Sequence, residues 1–507
     1  IFPMKNVLVF SYARQGYQEA CQLEAAKEFH NNGDNVTVIT CGSCNGICND
    51  NHLGDSLRCS ICKKIQIQRV KKIVSPDINV ICIDDLCTKH IKEQAKAEKL
   101  EYHNINELKK LTFRGIEVGY GALSSYVSYT RNIDICFDGK VKEYFDYLIR
   151  MQIRIILIIE KLLSELNPDL FVIHNARYAH YKPVYGMAVV NGIDLLITET
   201  IIAADGTIMR EFFNNGIPHD IVVKDNMMRE FWDKYPDVER REAIARTFYE
   251  NRKNAKFAGD TIYVKDQKLG KLPDNWDSSK ENIVIFNSSE DEYFAISSKY
   301  DNYSLFTSQL DGVVEILEKY KYDKTKHFTL RVHPNLKNLT YHYHQDLYKL
   351  TYPNLSIIPA DSDISTYSIL DAADKVIVFG STMGIESCYW GKPTINLAYA
   401  LYENMDVTYY PKTKEELFDL IDSKDLQPKD SNNALLYGLY YMSNKHVPFK
   451  YVNVGKASRF NFWGRPQIRY NYYTILGSNT LYNYMEKSYS LLNRYFPLFS
   501  KFNKVPV

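Results

Sequence analysis

The sequence has almost no net charge and no long uninterrupted apolar run, and each absence excludes a class of protein. The 507 residues carry a formal charge of +1, so the chain as a whole does not attract a polyanion such as nucleic acid. The most apolar stretch, residues 147–163, includes Arg150, Arg154 and Glu160, which interrupt it too often for a bilayer-spanning helix. With 45% apolar residues, the composition instead suits a soluble globular protein of two or three domains.

A secretory signal is also missing, because a strand-like segment follows Met4 in place of a charged and then apolar leader. We therefore expect a cytoplasmic protein whose ten cysteines are thiols or metal ligands and not disulfides. Two Cys-x2-Cys pairs stand fourteen residues apart and comprise Cys41, Cys44, Cys59 and Cys62. This spacing is near that of a four-thiolate zinc ribbon and predicts a structural zinc site.

Other interpretations of the cysteine-rich segment 41–62 stay open. Cys48 and His52 lie between the two pairs and are further candidate ligands. The segment is equally compatible with a reduced loop held by packing alone, a redox-active pair of thiols, or an iron–sulfur site. A metal bound here would be structural, with no open coordination position for catalysis.

The order of apolar and polar segments predicts an α/β fold. Residues 5–40 follow the pattern strand, helix, strand, and residues 7–10 are continuously apolar, as in a parallel strand buried on both faces. A second series of strands and helices starts near Asn282, after a charged helical stretch at 225–256. Because the alternation restarts after this bridge, we predict two Rossmann-like domains facing each other across a cleft.

Polar residues at the predicted strand ends of the second domain indicate a nucleotide site. In open α/β sheets, ligands bind beyond the carboxyl ends of the strands, where small residues let backbone N–H groups approach a phosphate. A carboxylate further along accepts hydrogen bonds from ribose hydroxyls, and His or Arg stabilises the charge of a phosphate leaving group. The candidate donor-binding residues are Ser288, Ser289, Arg331, His333, Ser381, Thr382, Glu386 and Lys392. Taken singly, each has an ordinary structural explanation, such as a helix cap; their occurrence at successive strand ends favours the site.

Two motifs carry a resemblance to a known family. "RVHP" at 331–334 and "FGSTMGIESCYWGKPTINL" at 379–397 resemble the C-terminal half of bacterial glycosyltransferases of the GT-B fold, in the capsule polysaccharide and lipopolysaccharide group that includes Kdo transferases. The likeness covers about residues 280–400 and, more loosely, 168–200. It implies that His333, Ser381, Thr382 and Glu386 hold a CMP-, UDP- or GDP-linked sugar, and that no catalytic metal is used.

The resemblance also implies an acceptor side in the first domain. Related proteins have an Asn-Gly-Arg loop, and Asn175, Ala176 and Arg177 occupy the matching positions here. Asn175, Arg177 and His219 are therefore the candidate acceptor-binding residues.

A transfer that inverts configuration needs a general base to deprotonate a sugar hydroxyl. Glu199 follows a predicted strand, and Glu117 is a weaker second candidate; with His333 these are the predicted catalytic residues. The alternative for Glu199 is a structural ion pair with Arg177. The Asp-x-Asp pattern at 361–363 is interpreted as helix capping and not as a metal site.

The predicted division is an acceptor domain at 4–255, a nucleotide-sugar domain at 256–430 and a helical tail at 431–507. From Lys445 onwards the tail has ten basic residues, one acidic residue and fifteen aromatics. This composition suits an anionic membrane surface, while packing of the tail on the first domain is the equal alternative. Nucleic acid could use the same composition, but we expect no nucleic-acid partner.

The sequence therefore predicts a bacterial glycosyltransferase of the hexosyl or Kdo/sialyl type. It would transfer a sugar to a cell-surface polysaccharide or lipid-linked glycan, either in the cytoplasm or peripherally on the inner face of the cytoplasmic membrane. The first alternative is a sugar-nucleotide 2-epimerase, which shares the architecture. The second is a non-catalytic, zinc-bearing scaffold of a polysaccharide assembly complex.

Overall fold

The computed structural model describes most of the chain. The described residues are 4–12, 16–42, 44, 46–259, 263–301, 304–452, 457–458, 467–468, 500–502 and 504–507.

The first domain is built on a sheet that has six strands within the described ranges. They are β1 (Asn6–Ser11), β2 (Asn35–Thr40), β3 (Asn79–Cys82), β4 (Leu170–His174), β5 (Asp194–Ile202) and β6 (Ile208–Asn214). Their order is β3-β2-β1-β4-β5-β6, and only the pairing of β6 with β5 is antiparallel among these strands. All five residues of β4 are buried, which explains why its first four residues are apolar.

Eight helices of the described chain cover this sheet. They are α1 (Gly16–Asn31), α2 (Ser56–Ile73), α3 (Ile83–Leu86), α4 (Lys89–Ala97), α5 (Ile105–Lys109), α6 (Val118–Thr130), α7 (Gly139–Leu166) and α8 (Lys182–Asn191). The stretch that is too interrupted for a membrane span lies in α7, which buries Leu148, Ile155 and Ile159 at helical spacing in the domain core. No helix in the described part of the chain is both long and apolar enough to cross a bilayer.

Two charged helices, α9 (Ile221–Asp233) and α10 (Arg241–Lys253), connect the domains. The second sheet has five parallel strands among the described residues: β7 (Glu281–Phe286), β8 (Lys326–Arg331), β9 (Leu355–Ile358), β10 (Lys375–Val378) and β11 (Thr394–Asn396). Its helices are α11 (Gln309–Tyr320), α12 (His342–Gln345), α13 (Thr366–Ala372), α14 (Met383–Tyr389), α15 (Lys414–Asp422) and α16 (Leu435–Met442).

Both sheets have the Rossmann strand order. The second sheet runs β11-β10-β7-β8-β9, so that within each domain the first strand lies between the second and the fourth. The predicted α/β architecture with two Rossmann-like domains is therefore confirmed. This order reverses direction beside the first strand of each domain, which places a crevice at the carboxyl ends of the strands.

The chain returns to the first domain after α16. The backbone N–H of Arg210 donates to the Val447 carbonyl at 2.7 Å, and the Glu24 carboxylate accepts the N–H groups of Tyr451 and Val452. At the chain end, Phe502 packs against Tyr144 with ring centroids 5.0 Å apart. These described parts of the tail lie on the first domain.

Most of the predicted helical tail, residues 453–456, 459–466, 469–499 and 503, lies outside the described residues. Within the tail, β12 (Ala457–Ser458) and β13 (Gln467–Ile468) form a short antiparallel pair, which differs from the predicted helix.

Candidate functional site

A pocket lies at the carboxyl edge of the second sheet and is here named the cationic pocket. Its wall includes Arg252, Tyr263, Asn287, Arg331, His333, Thr366, Tyr367, Ser381 and Thr382. Three of these side chains are basic, and no carboxylate is among the lining residues. Strands β7, β8 and β10 deliver Asn287, the pair Arg331 and His333, and the pair Ser381 and Thr382 to one edge, as the sequence predicted from their strand-end positions.

Arg331 places a buried cation in this pocket. Its side chain donates to the Pro359 carbonyl and, at 3.5 Å, to that of Ser362, and only 1% of the residue is exposed. The Arg331 Nε–H has no hydrogen-bond partner in the described part of the chain. Burial lowers the Arg331 pKa to about 10, so the guanidinium stays charged at pH 7. The nearby charge of Asp361 offsets part of the cost of this burial, and an anionic ligand would offset more of it.

His333 presents a neutral hydrogen-bond donor to the same pocket. Its Nδ1 accepts the backbone N–H of Asn335 at 3.2 Å, while its own backbone N–H donates to Asn287 Oδ1 at 2.8 Å. Burial, together with the nearby charges of Arg331, Arg131 and Arg252, lowers the His333 pKa to about 3. With Nδ1 acting as the acceptor, the proton of the neutral ring resides on Nε2.

Arg252 is a pocket residue that sequence reasoning missed, because it lies near the end of the bridge helix α10. Its Nε–H donates to Glu386 Oε1 at 2.9 Å, and its Nη2 lies 3.3 Å from Thr382 Oγ1. The Tyr367 hydroxyl donates to the other oxygen of Glu386. Glu386 is fully buried and is not among the residues that line the pocket. Instead it fixes Arg252 at the pocket wall.

Arg131 connects this pocket with the first domain. It ends α6 in the left-handed conformation, with φ of 59°. Its guanidinium forms two hydrogen bonds with Asp291, at 2.7 and 3.1 Å, and a third with the Asn335 carbonyl at 2.7 Å. Because Asn335 also donates to His333, the first domain helps to fix the His333 ring. The sequence offered no signal for this contact, which joins residues about 200 positions apart.

A second cavity, of about 520 Å³, lies between the domains and is here named the interdomain cavity. It brings together the four acceptor-side residues predicted from sequence, namely Asn175, Arg177, Glu199 and His219. The second domain contributes Glu292, Tyr293, Tyr399 and Leu401 to the opposite wall.

The loop that carries Asn175 is strained. Asn175 and Ala176 both have positive φ, at 57° and 75°, and the Ala176 N–H donates to the His174 carbonyl at 2.6 Å. The left-handed region favours glycine, which explains physically why the resembling family has Gly at this position. Such strain is typical of functional sites, and here it directs Asn175 towards Glu199, to which it donates at 2.6 Å.

Glu199 does not form the alternative ion pair with Arg177. Arg177 donates instead to the Glu292 carbonyl at 2.9 Å. Glu199 Oε1 accepts from Asn175 and lies 3.8 Å from His174 Nε2, and the side chain is 16% exposed. Its Oε2 has no hydrogen-bond partner within the described ranges. Glu199 therefore has an oxygen available to a ligand in the interdomain cavity.

His219 is a half-buried, uncharged member of the cavity wall. Burial, followed by the charges of Arg177 and Lys224, lowers the His219 pKa well below its ordinary value. The Tyr399 hydroxyl donates to its carbonyl, so the two domains meet here as well.

Glu117 and Lys392 are among the predicted site residues that line neither cavity. Glu117 pairs with Lys182 at 2.8 Å and accepts the backbone N–H of Ser298 at 3.1 Å, which is a structural role between domains. Lys392 donates to the carbonyls of Asp371 and Ala373, each at 2.8 Å, and so caps the end of α13.

The two predicted serines support the pocket without lining it. Ser288 Oγ donates to the Phe379 carbonyl at 2.7 Å, and Ser289 Oγ accepts from Arg131 and Asn335 at 3.3 and 3.1 Å. Both hydroxyls are thus engaged in protein contacts.

The cysteines do not form the predicted zinc site within the described chain, which has no group of three or more metal-binding side chains. Cys59 and Cys62 lie on helix α2, and Asn51 donates to Cys59 Sγ at 3.1 Å. Cys44 instead hydrogen-bonds Cys87, and this contact lowers the Cys87 pKa to about 7. Cys59 and Cys62 therefore lie on a helix, where a zinc ribbon would have a tight turn.

No protein-family model matches the chain, and no curated protein matches it. Among solved structures, KpsC of Thermosulfurimonas dismutans, a beta Kdo 2,4 transferase, has 12% identity, 54% coverage of this chain, 79% of that one and a TM-score of 0.35. A Listeria monocytogenes protein described as a UDP-N-acetylglucosamine 2-epimerase has 12% identity, with 89% and 93% coverage and a TM-score of 0.25. The Streptomyces glycosyltransferase SsfS6 with thymidine diphosphate has 10% identity, 86% and 96% coverage and a TM-score of 0.24.

Kdo transferases, the group that residues 331–397 resemble, are therefore among the matched structures. Identities and TM-scores this low do not assign an activity, so the function has to follow from the site.

Proposed function

We propose that the protein is a glycosyltransferase that moves a sugar from a nucleotide-sugar donor to a glycan acceptor. The observation that carries this proposal is the position of two unlike cavities. A cationic pocket, with no carboxylate among its described lining residues, occupies the carboxyl edge of the second sheet, and Glu199 lies in a cavity that both domains line.

The cationic pocket suits the phosphate of a nucleotide sugar. Arg331 and Arg252 supply positive charge, and His333 Nε2–H supplies a neutral donor that needs no protonation at pH 7. These groups are pre-organised to stabilise negative charge as it develops on the leaving phosphate, which is the largest single contribution in many enzymes. The same groups would do the work that a metal ion does elsewhere.

Glu199 is the proposed general base. Its carboxylate takes the proton of the acceptor hydroxyl while the hydroxyl oxygen forms a bond to the anomeric carbon of the donor sugar. The bond from that carbon to the phosphate oxygen breaks, and its electron pair leaves with the nucleotide. Asn175, at 2.6 Å from Glu199, keeps the carboxylate in place.

Thermal stability with added ligands tests the donor side, because a ligand that binds only the folded state raises the unfolding midpoint. CMP, UDP, GDP and CDP sugars are screened, and at least one should raise the midpoint. Nucleotide release is then measured with and without a glycan acceptor. Acceptor-dependent release supports the transferase, whereas conversion of the sugar nucleotide without an acceptor identifies the 2-epimerase. If no nucleotide sugar binds, the result favours the remaining alternative, a non-catalytic scaffold of a polysaccharide assembly complex.

A Glu199→Gln variant tests the acceptor side. Loss of the base should lower turnover by about 10²- to 10⁴-fold while the donor-induced thermal shift is retained. Glu239→Gln, an exposed carboxylate on the bridge, is the matched control and should keep wild-type turnover. Wild-type turnover of Glu199→Gln would remove Glu199 from the mechanism.

The acceptor is proposed to be a cell-surface polysaccharide or a lipid-linked glycan at the inner face of the cytoplasmic membrane. This part rests on the basic and aromatic composition after Lys445, since each basic residue near an anionic leaflet contributes about 1 kcal/mol. Sedimentation with phosphatidylglycerol vesicles, but not with phosphatidylcholine vesicles, is the expected result. Equal recovery with both lipids would contradict membrane contact.

A further inference from the structure

A third cavity, of about 620 Å³, lies between the domains and has no role in the donor and acceptor chemistry described above. Helix α5 and the chain after α6 form one wall, and the segment between β7 and α11 forms the other. Aromatic rings dominate its lining: Tyr293, Phe294, Tyr300, Phe306, Phe379 and Tyr399. Such rings provide flat apolar faces at little conformational cost.

The charges in this cavity differ from those of the cationic pocket. Lys109, a basic lining residue, is paired with Asp301 at 2.9 Å. Glu290 has one long contact in the described chain, with the Gln309 N–H at 3.5 Å, and burial raises its pKa to about 7. Among the described lining residues, no basic side chain without a carboxylate partner is present to bind a phosphate or a carboxylated ligand. The cavity therefore favours an uncharged ligand.

The uncharged polar lining consists of amides and hydroxyls. Asn106 lines the cavity beside the Glu290 carboxyl, and Asn104, Ser304 and Thr307 line it with groups that also bond Glu107, the Leu397 carbonyl and Asp311. Apolar faces combined with several convergent amides and hydroxyls match a sugar ring, which has C–H faces and a rim of hydroxyls.

The third cavity adjoins the interdomain cavity. Tyr293 and Tyr399 line both it and the interdomain cavity, where Glu199 lies. A glycan whose terminal hydroxyl reaches Glu199 therefore has its next sugar units beside these two tyrosines.

We propose that the third cavity binds neutral sugar units of the acceptor chain, behind the unit that receives the transferred sugar. A volume of this size holds a ligand of about two or three sugar rings. The inference rests on the proposed function and adds to it that the acceptor is an oligosaccharide with uncharged units, recognised along its length.

The test uses the full chain on an array of neutral oligosaccharides of one to six sugar units. Wild type should bind at least one oligosaccharide of three or more units about tenfold more tightly than its monosaccharide. Phe294→Ala removes an aromatic face, and Glu290→Gln removes the carboxyl at constant size. Each should weaken that binding about fivefold or more, whereas Tyr322→Ala, at an 83% exposed ring elsewhere, should not.

The nucleotide-induced thermal shift is measured in parallel on all variants and should be unchanged, since the cationic pocket is untouched. Wild type that binds no oligosaccharide, or binds all lengths equally, overturns the inference. So does binding by both cavity variants at wild-type strength. If transfer to a short acceptor persists in that case, the third cavity loses its role while the proposed function stands; if nucleotide binding is also absent, the function itself fails.

Discussion

Arg252 reaches Glu386 from the helix that bridges the two domains, and their side chains form a 2.9 Å ion pair behind the cationic pocket. Glu386 is fully buried and Arg252 is 13% exposed, so water screens the pair only weakly. The pair joins three parts of the chain, because Tyr367 of α13 completes the carboxylate's hydrogen bonds. The cationic pocket therefore depends on a contact between the bridge and the second domain.

Glu386→Gln should both destabilise the fold and weaken donor binding. Removing one partner of a buried pair leaves the other charge uncompensated, which costs about 3 kcal/mol, and Arg252 then loses its position at the pocket wall. Urea unfolding measures the first effect, and a nucleotide thermal shift measures the second. Asp371→Asn, which breaks the more exposed pair of Asp371 with Lys253 on the same helix, should cost less than about 1 kcal/mol. Equal behaviour of the two variants would contradict the role of Glu386.

His333→Ala and His333→Gln should differ in turnover. The neutral ring donates from Nε2, and a glutamine amide can place an N–H near the same point. We expect His333→Ala to lower turnover about 100-fold, as loss of a hydrogen-bond donor to the leaving group would. His333→Gln should lower turnover less than this, because its amide replaces part of the donated hydrogen bond. Initial-rate kinetics at saturating donor measure this, with the exposed His90→Gln as control. Identical losses in both His333 variants would mean that the donated hydrogen bond is not what matters.

Ala176→Gly should stabilise the protein. A non-glycine residue in the left-handed region costs about 1–2 kcal/mol, which exceeds the burial lost with one methyl group, about 0.8 kcal/mol. The net expectation is a gain of up to about 1 kcal/mol in the free energy of unfolding, measured in urea. Ala179→Gly is the matched control, since Ala179 is equally buried and is not among the positive-φ residues; it should destabilise. A destabilised Ala176→Gly would show that the loop is not strained.

His180 should make the fold less stable in mild acid. Burial lowers its pKa from 6.5 to about 3, so below pH 6.5 the unfolded chain binds a proton that the folded chain does not. Stability is therefore lost as the pH falls from about 6.5 towards 3, by about 1.4 kcal/mol between pH 7.5 and 5.5 for this one group.

A His180→Phe variant isolates this effect. Its free energy of unfolding should fall by about 1.4 kcal/mol less over the same pH range than that of wild type. His90→Gln, an exposed histidine, should leave the pH dependence unchanged. If His180→Phe retains the full wild-type slope, the titration arises elsewhere.

Much of the fold was predictable because its signals are local. Strands such as β1 and β4 are buried on both faces and are therefore rich in apolar residues, and the alternation with helices leaves few possible topologies. The antiparallel β6 was not predicted, since its direction depends on the short turn after β5. The exact start of α11 depends on Ser308, whose hydroxyl accepts the Asp311 N–H and begins the helix at Gln309.

The site was predictable where it follows from strand ends. Arg331, His333, Ser381 and Thr382 come directly after strands β8 and β10 or at their ends, and parallel strands bring their carboxyl ends to one edge. The spacing of the cysteines predicted a zinc site that the described residues do not form, because spacing along the chain does not fix where a helix begins. Asp55 caps α2 by accepting the Arg58 N–H at 2.9 Å, and the helix it begins carries Cys59 away from a ribbon geometry.

The sequence by itself determined which segments are strands, in what order they alternate with helices, and which side chains gather at the sheet edge, because burial and short-range periodicity act within a few residues. Only the tertiary structure decided the state of those side chains. It placed Arg252 against Glu386 and Arg131 against the Asn335 carbonyl. It also placed one Glu199 oxygen against Asn175 and gave the other no hydrogen-bond partner in the described part of the chain. The two arginine contacts join residues more than a hundred positions apart. Their energies depend on burial and distance, which the order of residues along the chain does not encode.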